Sequence, residues 1–319
     1  MKKIGALEAG GTKMVAAILT EDGKILDRIS IPTRSPNETL PELIRFYQAA
    51  GVAALGIGSF GPVDLKQGSP TYGHIRRTPK PGWPEYDLLG AFRMALEVPV
   101  FIDTDVNVAA LGEYYYGEGG ASRKPATEPG MSATTRPASP DIPAASAAGH
   151  STSPDVLLYI TIGTGIGIGV LVNGQPLHGA MHPEGGHILI RPRDGESFRG
   201  VCPYHENCFE GLASGPALEK KWGRPAAELQ DVTEVWETES DYIAQALADY
   251  TLVLSPEKII LGGGVMKQTQ LFPLIREKLL RYLNGYLDHA AIADPEKYVT
   301  PASLAGDQGI LGCLALTQI

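Results

Sequence analysis

Cysteine is scarce: Cys202, Cys208 and Cys313 are the only three in 319 residues. An odd, widely spaced set in a long chain argues against a disulfide framework. Basic charge is also short, with 27 Lys and Arg against 36 Asp and Glu for a net charge of −9. That balance makes a poor non-specific binder of nucleic acid or anionic membrane. No G-x-x-x-x-G-K-[ST] run occurs, which excludes a P-loop. Long apolar runs are missing as well. The uncharged stretch from Val156 to Val172 covers 17 residues, is short for a membrane span, and holds four glycines. Its Gly163-Thr164-Gly165 centre reads as a tight turn between two strands. Met1-Lys2-Lys3 resembles the start of a signal peptide, but Glu8, Gly10 and Gly11 interrupt any apolar region behind it. A soluble cytoplasmic protein is expected, without a nucleic-acid or membrane partner.

What is present supports a sizeable core: 43% of residues are hydrophobic and 20% charged. The length fits two domains of roughly 150 residues or one large one. Gly 38 and Pro 25 make up about a fifth of the chain, above the usual ~12%. Strands are predicted at Lys3–Leu7, Met14–Thr20 and Ile25–Pro32, the last two joined by a Glu21-Asp22-Gly23 turn. A helix over Glu38–Ala50 with Asn37 as cap, a buried strand Ala54–Phe60 and a Pro/Gly-rich loop over 62–84 follow. A helix Leu88–Leu96, a strand Val98–Ile102 and a helix running from Asp103-Thr104-Asp105 through Tyr116 complete the first part. Residues 118–154 hold 6 Pro, 8 Ala, 6 Ser, 4 Thr and 4 Gly with no aromatic. That composition cannot bury enough surface to offset chain entropy, so a flexible insertion is expected. Beyond it come the strand pair around Gly163, helices at Pro216–Trp222 and Asp241–Leu254, and a strand Lys258–Leu261. Helices at Leu271–Leu283 and Gln308–Leu316 close the chain. Three strands, alternating helices and strands, then the same theme again predict two α/β domains around a cleft.

Gly56-Ile57-Gly58-Ser59-Phe60-Gly61 fits G-x-G-x-x-G after a strand, but Pro62 opens no helix and Arg76, Arg77 and Lys80 stand where an acidic residue is needed. Dinucleotide binding is rejected on those grounds. Three other glycine turns follow strands: Gly10-Gly11-Thr12-Lys13, Gly163-Thr164-Gly165 and Gly262-Gly263-Gly264. Each alone could be an ordinary turn; together they fit a nucleotide whose phosphates are met by backbone N–H groups, with Lys13 as a cation. Phosphoryl transfer to an alcohol needs a carboxylate base. Asp103 and Asp105 stand at a strand-to-helix junction, where one can cap the helix while the other faces the cleft; Asp105 is assigned to the cleft.

His187, Cys202, His205 and Cys208 form a Cys₂His₂ set suited to a closed tetrahedral zinc site. Arg191, Arg193 and Arg199 between them read as a solvated loop. Cys313 reads as core, and His178 and His182 as surface or loop histidines. A structural zinc would stiffen the loop and aim the neighbouring carboxylates Glu184 and Glu210 at a polyol.

These residues resemble the ROK family of sugar kinases, in the actin-like (ribonuclease H-like) ATPase superfamily. The likeness covers nearly the whole chain apart from 118–154. Glu8 to Lys13 is similar to the family's first phosphate motif, Thr104-Asp105-Val106-Asn107 to its catalytic segment, Gly163–Gly165 to its second phosphate motif and Gly262–Gly264 to its adenosine motif. Glu184-Gly185-Gly186-His187 is similar to the sugar-binding motif, and Glu210 to the glutamate after the last zinc cysteine. Glu8 and Thr104 depart from the usual Asp and Asn. The Cys-Pro-Tyr-His-x-x-Cys loop and Thr78-Pro79-Lys80-Pro81-Gly82-Trp83 are similar to the bacterial fructokinase branch.

The resemblance implies Asp105 as catalytic base and Mg²⁺-ATP held by Gly10, Gly11, Thr12, Lys13, Gly163, Thr164, Gly165, Pro216, Gly262, Gly263, Gly264 and Lys267. It implies a hexose, D-fructose foremost, held by Gly61, Thr104, Asp105, Glu184, His187 and Glu210, with His187 also a zinc ligand. It further implies an N-terminal actin-like domain over 1–117 rejoined by 306–319, a C-terminal one over 155–305, and a homodimer. A ROK glucokinase, mannokinase or hexosamine kinase is the alternative enzyme. A sugar-responsive repressor would need a helix-turn-helix, for which no room is seen before Lys3. A non-catalytic regulator is disfavoured by the intact Asp105, and a zinc-finger module by the net charge.

Overall fold

The computed structural model describes residues 2–118 and 153–319. The expected flexible insertion, apart from its edges, therefore lies outside the described residues. Strands β1 (Lys3–Ala9), β2 (Lys13–Thr20) and β3 (Ile25–Pro32) form an antiparallel meander. Helix α1 (Pro36–Ala50) returns the chain to β4 (Ala54–Ser59), and α2 (Leu88–Leu96) returns it to β5 (Val100–Thr104). Both returning strands pair in parallel, so the sheet order is β3-β2-β1-β4-β5. Helix α3 (Asp105–Tyr116) leaves β5 directly.

The second part repeats this plan. β6 (Val156–Ile162), β7 (Ile166–Val172) and β8 (Gln175–Pro176) form the meander. Helices α4 (Phe209–Ala213), α5 (Gly215–Trp222) and α6 (Thr233–Leu254) lead to β9 (Lys258–Gly262). Helices α7 (Leu271–Leu283), α8 (Ala290–Ala293) and α9 (Pro295–Tyr298) lead to β10 (Val299–Pro301) and then to α10 (Gln308–Leu316). The order β10-β9-β6-β7-β8, with β9 and β10 parallel to β6, mirrors the first sheet. The expected α/β class of two actin-like halves holds, although the repeat is one of topology and not of sequence.

Three cores hold the layers. α1 and α2 cover one face of the first sheet through Leu40, Leu43, Leu89 and Phe92, and α6 and α7 cover one face of the second through Tyr242, Ile243, Ile275 and Leu279. Between the sheets lie α3 and α10, where Val108, Leu111, Ile310 and Leu314 meet Ala6, Leu157 and Tyr159. β4, flanked on both faces, is buried at all six residues, as a central parallel strand should be. Glycines let this middle layer close. A Cβ at Gly56 would overlap the Cys313 carbonyl, and one at Gly312 the Val108 carbonyl. No helix opens after β4 until Leu88, so the G-x-G-x-x-G run is a packing surface. Cys313 is fully buried, as expected.

Several local expectations are corrected. α1 is entered from Ser35, with Pro36 in its first position, and the Ser35 N–H donates to the Glu38 carboxylate at 3.3 Å; Asn37 is inside the helix and not its cap. β5 runs to Thr104, because Asp103 is buried in the strand rather than opening the helix. α6 begins at Thr233, eight residues before the expected start. No helix of the described residues is long and apolar enough to cross a membrane.

Candidate active site

Two cavities meet at the start of α3. The larger, about 790 Å³, is lined by Glu8, Lys13, Asp105, Thr164, Gly262, Gly263, Gly264 and Lys267, with Ala302 and Gln308 at its far wall. Lys13 begins β2, Thr164 sits in the β6–β7 turn, and the three glycines run from the last residue of β9 into the turn beyond it. Gly263 takes φ 92°, and a Cβ there would strike the Ile162 backbone, so only glycine allows that close approach. The β6–β7 turn lies against it: a Cβ built on Gly163 would stand 3.6 Å from the Gly264 nitrogen. Gly163 also accepts the Gly215 N–H at 2.7 Å, which brings Pro216 in the first turn of α5 beside the same turn. Gly10, Gly11, Thr12, Gly163, Gly165 and Pro216 belong to these turns without lining the cavity wall itself. Two lysines, two carboxylates and a run of glycines lining one cavity suit a polyphosphate carrying a divalent cation.

The second cavity, about 490 Å³, is lined by Gly61, Arg77, Thr78, Thr104, Glu184, His187, Tyr204 and Glu210, again with Asp105 and Val106. All six expected sugar-binding residues share it. Asp105 thus stands at the junction of the two spaces. Thr104, not an aspartate, is the residue before the helix: its Oγ1 accepts the Asn107 N–H at 3.2 Å. Asp105 Oδ1 accepts the Val106 N–H at 2.9 Å. Burial pushes its carboxyl up to about 7, the nearby Glu8 and Glu184 carboxylates push the same way, and the Val106 hydrogen bond pulls against them. A carboxyl near neutrality is matched to taking a proton from an alcohol. Burial raises Glu8 too, against the pull of Lys13 and Arg28.

The two histidines read as surface or loop residues do lie in loops, His178 exposed and His182 buried, and both make contacts that bear on the site. His182 is 6% exposed. Its Nε2 accepts the Val63 N–H at 3.3 Å, and its Nδ1 lies 3.5 Å from Glu184 Oε1. His178 Nε2 lies 3.0 Å from Asp103 Oδ2, and that hydrogen bond raises its pKa against the opposing effect of burial. Asp103 Oδ1 in turn accepts from Asn107 Nδ2 at 2.6 Å, so His178 braces the base of the helix that carries Asp105. The one available signal was the density of His182-Pro183-Glu184 beside the motif ending at His187.

His187 closes the Gly185–His187 turn, whose Gly185 carbonyl accepts from Tyr250 Oη at 2.7 Å. The ligand atoms of His187, Cys202, His205 and Cys208 all lie within 4.8 Å of one another. Cys202 Sγ is 3.8 Å from His187 Nδ1 and 3.7 Å from His205 Nδ1, and Cys208 Sγ is 3.6 Å from His187 Nδ1. Tetrahedral zinc bonds of about 2.3 Å to sulfur and about 2.05 Å to nitrogen put those atoms roughly 3.6 Å apart. The donor set therefore fits zinc in size as well as chemistry. His187 turns Nδ1 toward both cysteine sulfurs, and its ring also lines the second cavity. Glu210, on the first turn of α4, accepts the Ile166 N–H at 2.9 Å and ties the loop to the β6–β7 turn. The arginines of the intervening loop are exposed, as expected, and Arg193 also donates to Thr238 Oγ1 at 2.7 Å.

Comparison with known proteins shows the family to which the chain belongs. A Bacillus subtilis (strain 168) protein is 46% identical over 99% of this chain and 95% of its own. The fructokinase of Pediococcus pentosaceus is 41% identical, covering 99% of this chain and 97% of its own. The ROK hexokinase of Thermus thermophilus superposes with a TM-score of 0.70 at 26% identity, over 98% of this chain and 97% of that one. The sequence profile of the ROK family matches residues 4–124 and 143–319. The chain belongs to the ROK family.

Proposed function

We propose that this protein transfers the γ-phosphoryl group of Mg²⁺-ATP to the 6-hydroxyl of a hexose, D-fructose foremost, giving D-fructose 6-phosphate and ADP. The observation that carries the reading is Asp105, which lines both cavities and has its carboxyl pushed up to about 7. Relatives named fructokinase, at 36–46% identity over 92% or more of this chain in the Pediococcus, Streptococcus and Lactococcus cases and the Bacillus subtilis protein, support the choice of sugar.

In this reading the acceptor sits against Glu184, His187 and Glu210, with its reactive hydroxyl toward Asp105. Asp105 takes the hydroxyl proton as the oxygen bonds to the γ-phosphorus and the bond to the ADP oxygen breaks. Lys13 and Lys267 face the phosphates, and backbone N–H groups of the three glycine turns complete their cradle. Mg²⁺ neutralises phosphate charge when bound. Glu8 holds its carboxylate in the same cavity, one methylene longer than the aspartate usual there. His187, Cys202, His205 and Cys208 hold zinc, whose contribution is to fix the loop bearing Glu210. The protein acts as a cytoplasmic homodimer built from an N-terminal half rejoined by α10 and a C-terminal half; exposed Leu189 and Tyr204 beside the zinc loop offer apolar surface for a second copy. A coupled ADP-release assay over fructose, mannose, glucose and N-acetylated hexoses tests the proposal. Fructose should give the highest kcat/KM, and release of ADP with none of them would refute it.

A further inference from the structure

We propose that Lys80 is a positioning residue that links occupancy of the hexose cavity to the Gly10–Lys13 phosphate turn. The inference rests on the kinase reading above. Lys80 Nζ donates to the Gly11 carbonyl, and on the other side of the turn Thr33 Oγ1 donates to the Gly10 carbonyl at 2.7 Å. A trans peptide points its N–H opposite to its C=O. Holding Gly11 O therefore directs the Thr12 N–H away from Lys80, and holding Gly10 O directs the Gly11 N–H away from Thr33. Among the described residues neither N–H is taken by a backbone acceptor, so both remain for a phosphate.

Lys80 reaches this position from a short strap. Its ammonium lies 5.5 Å from the centre of the Phe60 ring, which packs edge-on against Trp83 at 5.6 Å. Trp83 is 1% exposed and donates its indole N–H to the Arg34 carbonyl at 2.7 Å. The downstream end of the strap is thus fixed in the core. Its upstream residues, Arg77, Thr78 and Pro79, line the hexose cavity. The last residue of a wall that a sugar touches, Pro79, is joined directly to the cation that sets the orientation of a phosphate-binding peptide. A hexose that orders Arg77–Pro79 also orders Lys80, and through it Gly11. By reciprocity, phosphates on the turn tighten the hexose by the same factor.

Lys80→Met removes the ammonium and keeps most of the stem, and Lys80→Arg restores a cation. Equilibrium binding of a Mg²⁺-bound non-hydrolysable ATP analogue is measured by calorimetry with and without D-fructose. Wild type should bind the analogue roughly tenfold tighter with fructose present, within the usual range for coupled sites. Lys80→Met should lose that gain while its affinity for fructose alone stays within about twofold, and Lys80→Arg should recover at least about half of it. A Lys80→Met variant that keeps the full gain, one that loses both affinities equally, or a wild type with no gain overturns the inference. Wild-type turnover run alongside separates the two claims. Normal fructose turnover with an unchanged Lys80→Met profile overturns the Lys80 role alone, whereas no turnover of any hexose overturns the kinase reading and this inference with it.

Discussion

Asp105→Asn tests the site on two axes at once, because the same carboxyl is argued to be both a base and a cost to the fold. The amide keeps the size of the side chain and can still accept the Val106 N–H, but it cannot take a proton. A positioned general base contributes roughly 10²–10⁴-fold, so kcat should fall by at least about 10²-fold with hexose and nucleotide affinities nearly unchanged. The second axis follows from the raised pKa. With its folded value near 7 against an ordinary 3.8, the protonated form is favoured in the folded state. The associated stability is complete below pH 3.8 and is lost as pH rises through 7. At 1.36 kcal/mol per pH unit, ionised Asp105 costs the fold on the order of 4 kcal/mol. Asn carries no such cost, so the variant should melt above wild type at pH 8.5, by roughly 5–10 °C for a chain of this size, and the gap should close toward pH 5. The same titration predicts that wild-type kcat/KM rises with pH up to about 7 and then levels. The assays are coupled ADP release and thermal melts across pH. A variant retaining most of its kcat, or a melting difference that does not grow with pH, would refute the argument.

Three other expectations follow from contacts. Purified, unchelated protein should contain about one zinc per chain, held by the Cys₂His₂ set; stripping it should raise KM for the hexose more than for ATP, and metal analysis showing no zinc would end that claim. His182→Ala leaves the Val63 N–H and Glu184 without their partner, so KM for the hexose should rise about tenfold, or ~1.4 kcal/mol, with nucleotide affinity steady; an equal loss of both would show a merely structural histidine. Gly312→Ala drives a methyl into the Val108 carbonyl between α10 and α3, which should cost about 1–3 kcal/mol; an unchanged melting temperature would mean that the helices can separate freely.

Much of this site was legible because its chemistry is local. The Cys₂His₂ set falls within 22 residues, and Asp105 lies at a strand end where backbone direction alone aims a side chain out of the sheet. What escaped depended on distant partners. His178 and His182 are loop residues as expected, but their partners Asp103 and Val63 stand in the other half of the chain. Gly56 and Gly58 match a nucleotide pattern, but they are small because α10 and α3 cross there, and no window of sequence around β4 contains those helices. Ser35 displaced Asn37 as the helix entrance because Pro36 suits the first helical position and Glu38 reaches back to Ser35.

The shared topology explains why one residue can serve both cavities. In parallel strands the carboxyl ends point the same way, and ligands gather there. The first sheet delivers Gly61 beyond β4 and Thr104-Asp105 at the end of β5 to the hexose cavity. The second delivers Gly262–Gly264 at the end of β9 and Pro301-Ala302 at the end of β10 to the nucleotide cavity. The same two strand positions are thus used in each half, and each cavity also draws side chains from the other half. α3 leaves β5 in the seam between the sheets, its Val106 carbonyl so close to β7 that only a glycine fits at position 169. The first two residues of that helix, Asp105 and Val106, line both cavities, so in the proposed reaction a base at Asp105 meets a hydroxyl from one side and a phosphoryl group from the other.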